Sequence, residues 1–281
     1  MLAVRYQPSV PLSAFVEDFW LYDGYVSAHA RERILPCGTF ELVFNLREDE
    51  LRIYGSAPSG HCRRFSGAVV SGPYAGYFGS DAVEEISVMG VHFRPGGAFP
   101  FLGIPAGELA DTHVDLAAVW KGSASSLRAQ LAETASVAGR FRLLEQALIE
   151  HLFRPLAHHP AVAAALDAFR QPAVPARTGE LASAVNLSER RFIDVFRAEV
   201  GMTPKVFSRV QRFQRVLAAA HADTSADWAE LAFAYGYCDQ SHLIRDFLQF
   251  SGVSPADYVR RLNALRSQGA HTKPNHLALA E

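Results

Sequence analysis

The 281 residues are enough for two domains of ordinary size, and a 49% hydrophobic, 20% charged composition excludes a disordered chain. The net charge of −2 gives no overall basic signature, but a cut after Pro160 leaves 13 basic and 17 acidic residues before it and 14 basic and 12 acidic after it, so only the second part has room for a basic face. Cys37, Cys62 and Cys238 lie far apart without metal-like spacing, the first residues lack a signal-peptide pattern, and no apolar run reaches the roughly 18 residues of a membrane span; a cytoplasmic protein without disulfides is expected.

Along the chain, Pro11 to Tyr22 carries Leu12, Phe15, Val16, Phe19 and Trp20 at helical spacing behind a proline, which predicts a helix. Thr39–Leu46, Leu51–Tyr54, Ala68–Ser71 and Ile86–Phe93 are short branched or aromatic runs. Turn clusters separate them at Pro36-Cys37-Gly38, at 56–60 and at Ser71-Gly72-Pro73, which together predict a small barrel or sandwich. After Arg94-Pro95-Gly96-Gly97 the pattern turns helical over Ala98–Leu102, Ala117–Trp120, Leu127–Thr134 and Arg140–Phe153. The apolar stripe of the last segment (Phe141, Leu144, Leu148, Leu152) suits packing on its own domain or a dimer contact. Pro155 and Pro160, with His158-His159 between them, mark a boundary, and 171–175 a second break. From Thr178 to about Leu265 the chain reads as helix, and the polar stretch 267–281 as a flexible tail. The expected domains are 1–155, β-rich with trailing helices, and 161–263, all helical.

The second domain contains a duplication. Glu180-Leu181-Ala182 recurs 50 residues on as Glu230-Leu231-Ala232. Gly201-Met202-Thr203-Pro204 recurs 51 on as Gly252-Val253-Ser254-Pro255, and Phe192 and Phe196 are matched by Leu243 and Phe247. Each copy reads as helix-turn-helix: a small alanine where helices cross, Asn186 or Gly236 at the left-handed helix end, Ser188 or Asp239 as N-cap, and Thr203-Pro204 or Ser254-Pro255 opening the next helix. The segment from Pro204 to about Ala220, some 25 Å of helix at about 1.5 Å per residue, could hold two recognition helices near the roughly 34 Å repeat of B-DNA. A helical protein-interaction repeat is the alternative, though two units make a short series for a solenoid.

These residues, with Gly236-Tyr237, Asp239-Gln240-Ser241-His242-Leu243, Arg245 and Phe247, resemble the AraC/XylS family of transcription regulators over about 100 residues. Phe19-Trp20, Leu35-Pro36-Cys37-Gly38, Glu41–Asn45, Gly90–Gly97 and Leu116–Trp120 are similar to the sensor domains of one subgroup of that family. That resemblance implies a cupin-like β-barrel with helices ahead of an all-α tandem helix-turn-helix domain, an α+β architecture overall. It also implies double-stranded DNA as partner, RNA polymerase as a further one, a small-molecule effector, and a homodimer through the Arg140–Phe153 helix or the N-terminal domain.

In family members the N-terminal part of each second helix reads bases. This implies Gln240, Ser241, Ile244 and Arg245 in the second unit and Glu189, Arg190, Ile193 and Asp194 in the first. Gln pairs bidentately with adenine and Arg with guanine. Asp194 stands where the second unit has Arg245, so the first unit departs from the pattern unless Arg190, four residues earlier, pairs with it. Arg191, Arg197, Arg209, Arg212 and Arg215 are candidate phosphate contacts or ordinary solvated arginines.

Phe40, Phe44, Tyr54, Phe78 and Phe93 are candidates for an effector pocket or for plain core, and Glu41 and Arg94 for polar ligand contacts or structural ion pairs. No cofactor or metal is expected. His29, His61, His92 and His113 form no HxH pattern, and the cysteines needed by repair methyltransferases with this type of DNA-binding domain are missing. No phosphate loop or nucleophile elbow occurs, so the reading is a regulator and not an enzyme, with a cupin-like metalloenzyme as alternative.

Overall fold

A computed structural model of the chain describes residues 2–25, 31–56, 61–81, 86–170, 177–267 and 275–278. The predicted break at 171–175, most of the 56–60 turn and His29 lie outside them. The strands are β1 (Leu2–Tyr6), β2 (Val16–Tyr25), β3 (Arg31–Ile34), β4 (Glu41–Asn45), β5 (Leu51–Tyr54), β6 (Cys62–Phe65), β7 (Ala68–Ser71), β8 (Phe78–Asp81), β9 (Ile86–Phe93), β10 (His113–Asp115) and β11 (His276–Ala278). The helices are α1 (Phe99–Leu102), α2 (Leu116–Trp120), α3 (Ser123–Glu133), α4 (Val137–Glu150), α5 (Pro160–Arg170), α6 (Thr178–Ala184), α7 (Glu189–Val200), α8 (Pro204–Ala222), α9 (Trp228–Ala234), α10 (Gln240–Ser251) and α11 (Pro255–Ser267).

The N-terminal strands form two antiparallel sheets and not a closed barrel. One runs β1-β2-β9-β4-β7-β10 and the other β11-β3-β8-β5-β6. The larger sheet buries Phe19, Leu21, Leu42, Phe44, Val70, Met89, Val91 and Phe93 against α1–α4, whose Phe101, Leu131, Phe141, Leu144 and Leu148 complete the core. Residues of opposite parity on the same strands face away from the helices.

The helix predicted over Pro11–Tyr22 does not form. A short 3-10 turn at Leu12–Ala14 precedes β2, which pairs with β1 on one side and β9 on the other. Asp18, Phe19, Trp20 and Leu21 are all buried, so the strand shows no period-two alternation, and its apolar run fits either period. The helix predicted to reach Phe153 stops at Glu150, leaving Leu152 and Phe153 partly exposed beyond it.

The second core belongs to the C-terminal domain. Phe169 of α5 meets Phe196 and Phe207 at ring-centre distances of 5.9 and 5.5 Å, and Phe247 meets Phe213 and Tyr258 at 5.3 and 5.6 Å. Within the stretch read as a flexible tail, His276–Ala278 instead pair with Ile34–Glu32 as an edge strand, and Leu277 is buried in this second core. That pairing is a long-range contact, which local composition does not signal.

Candidate nucleic-acid interface and sensor face

The duplication is matched element for element. α6 and α9 each have 7 residues, and α7 and α10 each have 12. Asn186 and Gly236 take φ of 56° and 71° at the ends of the first helices, and Gly201 and Gly252 take 91° and 70° at the ends of the second. These left-handed corners suit glycine or asparagine. Ser188 Oγ accepts from Arg191 N–H, and Asp239 Oδ1 from His242 N–H at 2.7 Å, so the second helix of each unit starts on a side-chain cap. Thr203 and Ser254 cap α8 and α11 in the same way. Linker helix α8 has 19 residues, about 28 Å at the usual rise.

Each second helix buries one stripe and presents the other. Phe192 and Phe196 in α7, and Leu243 and Phe247 in α10, are fully buried. Glu189, Arg190 and Asp194 of α7 are exposed with Ile193 half-buried beside them; Gln240, Ser241, Ile244 and Arg245 of α10 are exposed. Seven of the eight sequence-predicted base readers thus stand exposed, and Ile193 is half-buried. The second face combines an amide, a hydroxyl, a guanidinium and an apolar side chain suited to a thymine methyl. The first carries Asp194, with no ion pair to Arg190 among the described residues.

The predicted phosphate contacts divide. Arg191 and Arg197 are exposed, and the Arg197 stem packs beside Gly107 of the N-terminal domain. The three linker-helix arginines are engaged inside the protein. Arg209 donates to Asp246 Oδ1 and to Gln249 Oε1, each at 2.6 Å. Arg212 donates to the Gly236 carbonyl at 3.0 Å and lies 4.6 Å over the Tyr237 ring. Arg215 donates to the Phe169 carbonyl. Their spacing marks the face of α8 that packs on α10 and α5, so their charge holds helices together.

The seven candidate pocket residues do not converge. Phe40, Phe44 and Phe93 are buried in the helical-side core. Arg94 pairs with Glu17 at 2.6 Å and with the Ser13 carbonyl at 2.9 Å. Tyr54 stacks under the Arg31 guanidinium. Glu41 and Phe78 lie elsewhere, on the other side of the large sheet.

That side carries a row of polar groups that sequence reasoning did not bring together, although it named Glu41 as a candidate ligand contact. Strand register places Asp18, His92, Glu41, Ser71 and His113 opposite one another on β2, β9, β4, β7 and β10. His92 Nδ1 meets Asp18 Oδ1 at 2.8 Å, its Nε2 meets Glu41, and Arg5 reaches Asp18 at 2.7 Å. Burial works against a charge on His92, yet Glu41 and Asp18 outweigh it and raise its pKa to about 9. At the other end burial lowers His113 to about 4. Its Nδ1 shares a 2.5 Å hydrogen bond with the Tyr74 hydroxyl, and Phe65, Tyr74 and Phe78 surround its ring. The buried Trp20 indole N–H finds no partner. His92 and His113 are three strands apart, about 14 Å at the usual strand spacing, too far to share a metal. Among the described residues no group of three or more His, Cys, Asp or Glu could hold one. The row joins residues from five strands, so no local motif marks it.

Residues 181–261 match a family described as helix-turn-helix domain, and residues 4–115 match a domain of unknown function, DUF6597. No curated protein matches the chain. Among solved structures, ToxT from Vibrio cholerae with bound unsaturated fatty acid is 8% identical, covering 90% of this chain and 98% of its own at a TM-score of 0.49. A DNA-binding transcriptional dual regulator from Escherichia coli K-12 is 19% identical over 40% of this chain and 98% of its own, TM-score 0.34. The C-terminal domain of AraT, a response regulator from Geobacillus stearothermophilus, is 22% identical over 36% and 85%, TM-score 0.33. No described helix is long and apolar enough to cross a membrane. With two capped helix-turn-helix units between Thr178 and Ser251, the chain carries a C-terminal AraC-type helix-turn-helix DNA-binding domain behind an N-terminal domain of the DUF6597 type.

Proposed function

We propose that this regulator reads two successive major-groove half-sites with α7 and α10, and takes a small effector on the polar face of its large sheet. It acts in the cytoplasm, on double-stranded DNA and RNA polymerase, and not as an enzyme. The observation that carries the DNA reading is the pair of recognition helices, each seated on a side-chain cap with a buried stripe behind and polar residues free in front. Backbone N–H groups at both helix starts add phosphate contacts. Self-association is supported by the exposed apolar residues Ile149, Leu152 and Phe153 at the end of α4.

The effector reading rests on chemistry. The row from Asp18 to His113 places charged and neutral hydrogen-bonding groups beside aromatic rings, the usual make-up of a small-molecule site. A bound effector shifts the DNA-competent population only through differential affinity for it.

Selection of duplexes from a random pool by the full chain tests the DNA function. Enrichment of a motif with two half-sites about one helical turn apart supports it, and recovery of unrelated sequences overturns it. A metabolite screen by thermal shift tests the effector: a hit whose effect is lost in His113→Phe supports the site, and a hit that persists in that variant places the ligand elsewhere.

A further inference from the structure

The N-terminal domain touches both helix-turn-helix units at the same repeat position, and does so with one turn. Gly201 and Gly252 are the equivalent corners that end α7 and α10. A Cβ on Gly201 would stand 2.5 Å from Pro73 Cγ, and one on Gly252 would overlap the Tyr77 ring. Pro73 and Tyr77 are four residues apart in the turn between β7 and β8. Ala75 and Tyr77 pack against the C-terminal core, whereas Tyr74, just before Ala75, points back to His113.

The turn is stapled in place. Gly72 N–H donates to the Thr112 carbonyl at 3.0 Å, Asp111 N–H to the Pro73 carbonyl at 3.2 Å, and Ala75 N–H to Asp111 Oδ1 at 2.6 Å. The Tyr77 hydroxyl donates to the Ser56 carbonyl at 2.5 Å. The Arg33 guanidinium lies 4.6 Å over the Tyr77 ring while donating to the Ser251 carbonyl at 3.2 Å. Between the two corners, Gln211 and Gln214 of α8 donate to the Cys37 and Pro36 carbonyls at 3.1 and 2.6 Å.

We infer that the turn Gly72–Tyr77 is a brace that fixes the relative placement of α7 and α10 and passes the state of the polar sheet face to both at once through Tyr74. The inference rests on the proposed reading of that face and of the two helices. A turn held at its backbone on one side and wedged at two corners on the other passes a shift of Tyr74 on to those corners. Close-packed elements shift between discrete arrangements instead of deforming continuously. A ligand that competes for the Tyr74–His113 hydrogen bond therefore moves Pro73 and Tyr77 together, and with them the spacing of the two recognition helices.

Distance measurement between spin labels at positions 190 and 245, in the full chain with its native cysteines replaced by serine, tests the brace without DNA. A single narrow distribution is expected. Tyr77→Ala broadens it, and so does Tyr74→Phe, which keeps the ring and removes only the hydroxyl. An unchanged distribution in Tyr77→Ala overturns the brace; broadening there with none in Tyr74→Phe overturns the transmission. In the unlabelled chain, Tyr77→Ala should lower affinity for a duplex with both half-sites roughly five- to tenfold, and for a single half-site less than twofold, because lost preorganisation penalises only two-site binding. Equal losses, or tighter two-site binding, overturn the brace. If the unaltered chain prefers neither duplex to unrelated DNA, the DNA reading fails while the label distances still judge the brace.

Discussion

The two helix-turn-helix units share helix lengths, caps and left-handed corners, yet they are held by different parts of the molecule. In the second unit the buried acid is Asp246, tied to Arg209 and Arg212 of the linker helix and 4.0 Å from His242. The first unit has Val195 at that place. Its buried acid is Glu199, whose counterpart in the second is the buried Phe250. Glu199 accepts from His158 and from the His159 N–H at 3.1 Å, both in the connection between the domains. The His158 ring lies 4.9 Å from that of Phe15 in the N-terminal domain. The buried acid of unit two is thus satisfied within its own domain, and that of unit one by the connection that precedes it. Duplication preserved the scaffold, whereas the fastenings diverged.

Asp246→Ala attacks this contrast hardest. It strands two arginines whose charges face its carboxylate, at a cost of about 3–5 kcal/mol. Val195→Ala at the matching place removes only part of a half-buried aliphatic side chain. Chemical unfolding of the two variants checks this, and equal losses would erase the proposed difference in anchoring. Glu199→Gln follows. Losing a charge-assisted hydrogen bond in a buried site costs about 1.5–3 kcal/mol. Hydrogen exchange should quicken in α7 and stay unchanged in α10; uniform quickening would mean that the units share one anchor.

The contrast also separates what is legible in a sequence from what is not. Asn186, Gly201, Gly236 and Gly252 announce their corners because a left-handed residue is a local requirement, and Ser188 and Asp239 announce caps for the same reason. Asp246 announces nothing, since its arginine partners on α8 lie more than thirty residues away. Arg209, Arg212 and Arg215 read as a basic stripe, and only the packing shows that the stripe faces inward. In the N-terminal domain Ala68–Ser71 and Ile86–Phe93 are legible as strands, but β2 is not, because its buried apolar residues, with Leu12 and Phe15 before them, also fit helical spacing behind a proline. The parity of Phe40, Phe44 and Phe93 against Glu41 and His92 was available in the sequence; the register that aligns Glu41 with His92 and Ser71 was not.

The residues proposed to face DNA sharpen the comparison further. Arg245→Ala should cost about 1–3 kcal/mol at the cognate site and relax the preference at one base pair. Asp194→Ala removes a carboxylate from the approach to the phosphates, so it should leave sequence preference unchanged and tighten binding to all duplexes alike. Affinities for matched and single-mismatch duplexes at two salt concentrations decide the matter. A base-specific loss in Asp194→Ala would make the first unit a reader equal to the second.

The smallest effect concerns the caps. Ser188→Ala and Asp239→Ala each remove an acceptor from the first turn of a recognition helix, worth about 1 kcal/mol. Asp239 also brings a negative charge to the helix start, where the backbone dipole favours it and an incoming phosphate does not. Asp239→Ser keeps the cap and removes the charge. It should therefore lose little stability and strengthen non-specific DNA binding, whereas Ser188→Asp in the first unit should do the reverse. If both swaps leave affinity unchanged, the two helix starts are equivalent toward DNA. The asymmetry of the units would then reside in their anchors and in the Asp194–Arg245 pair of positions.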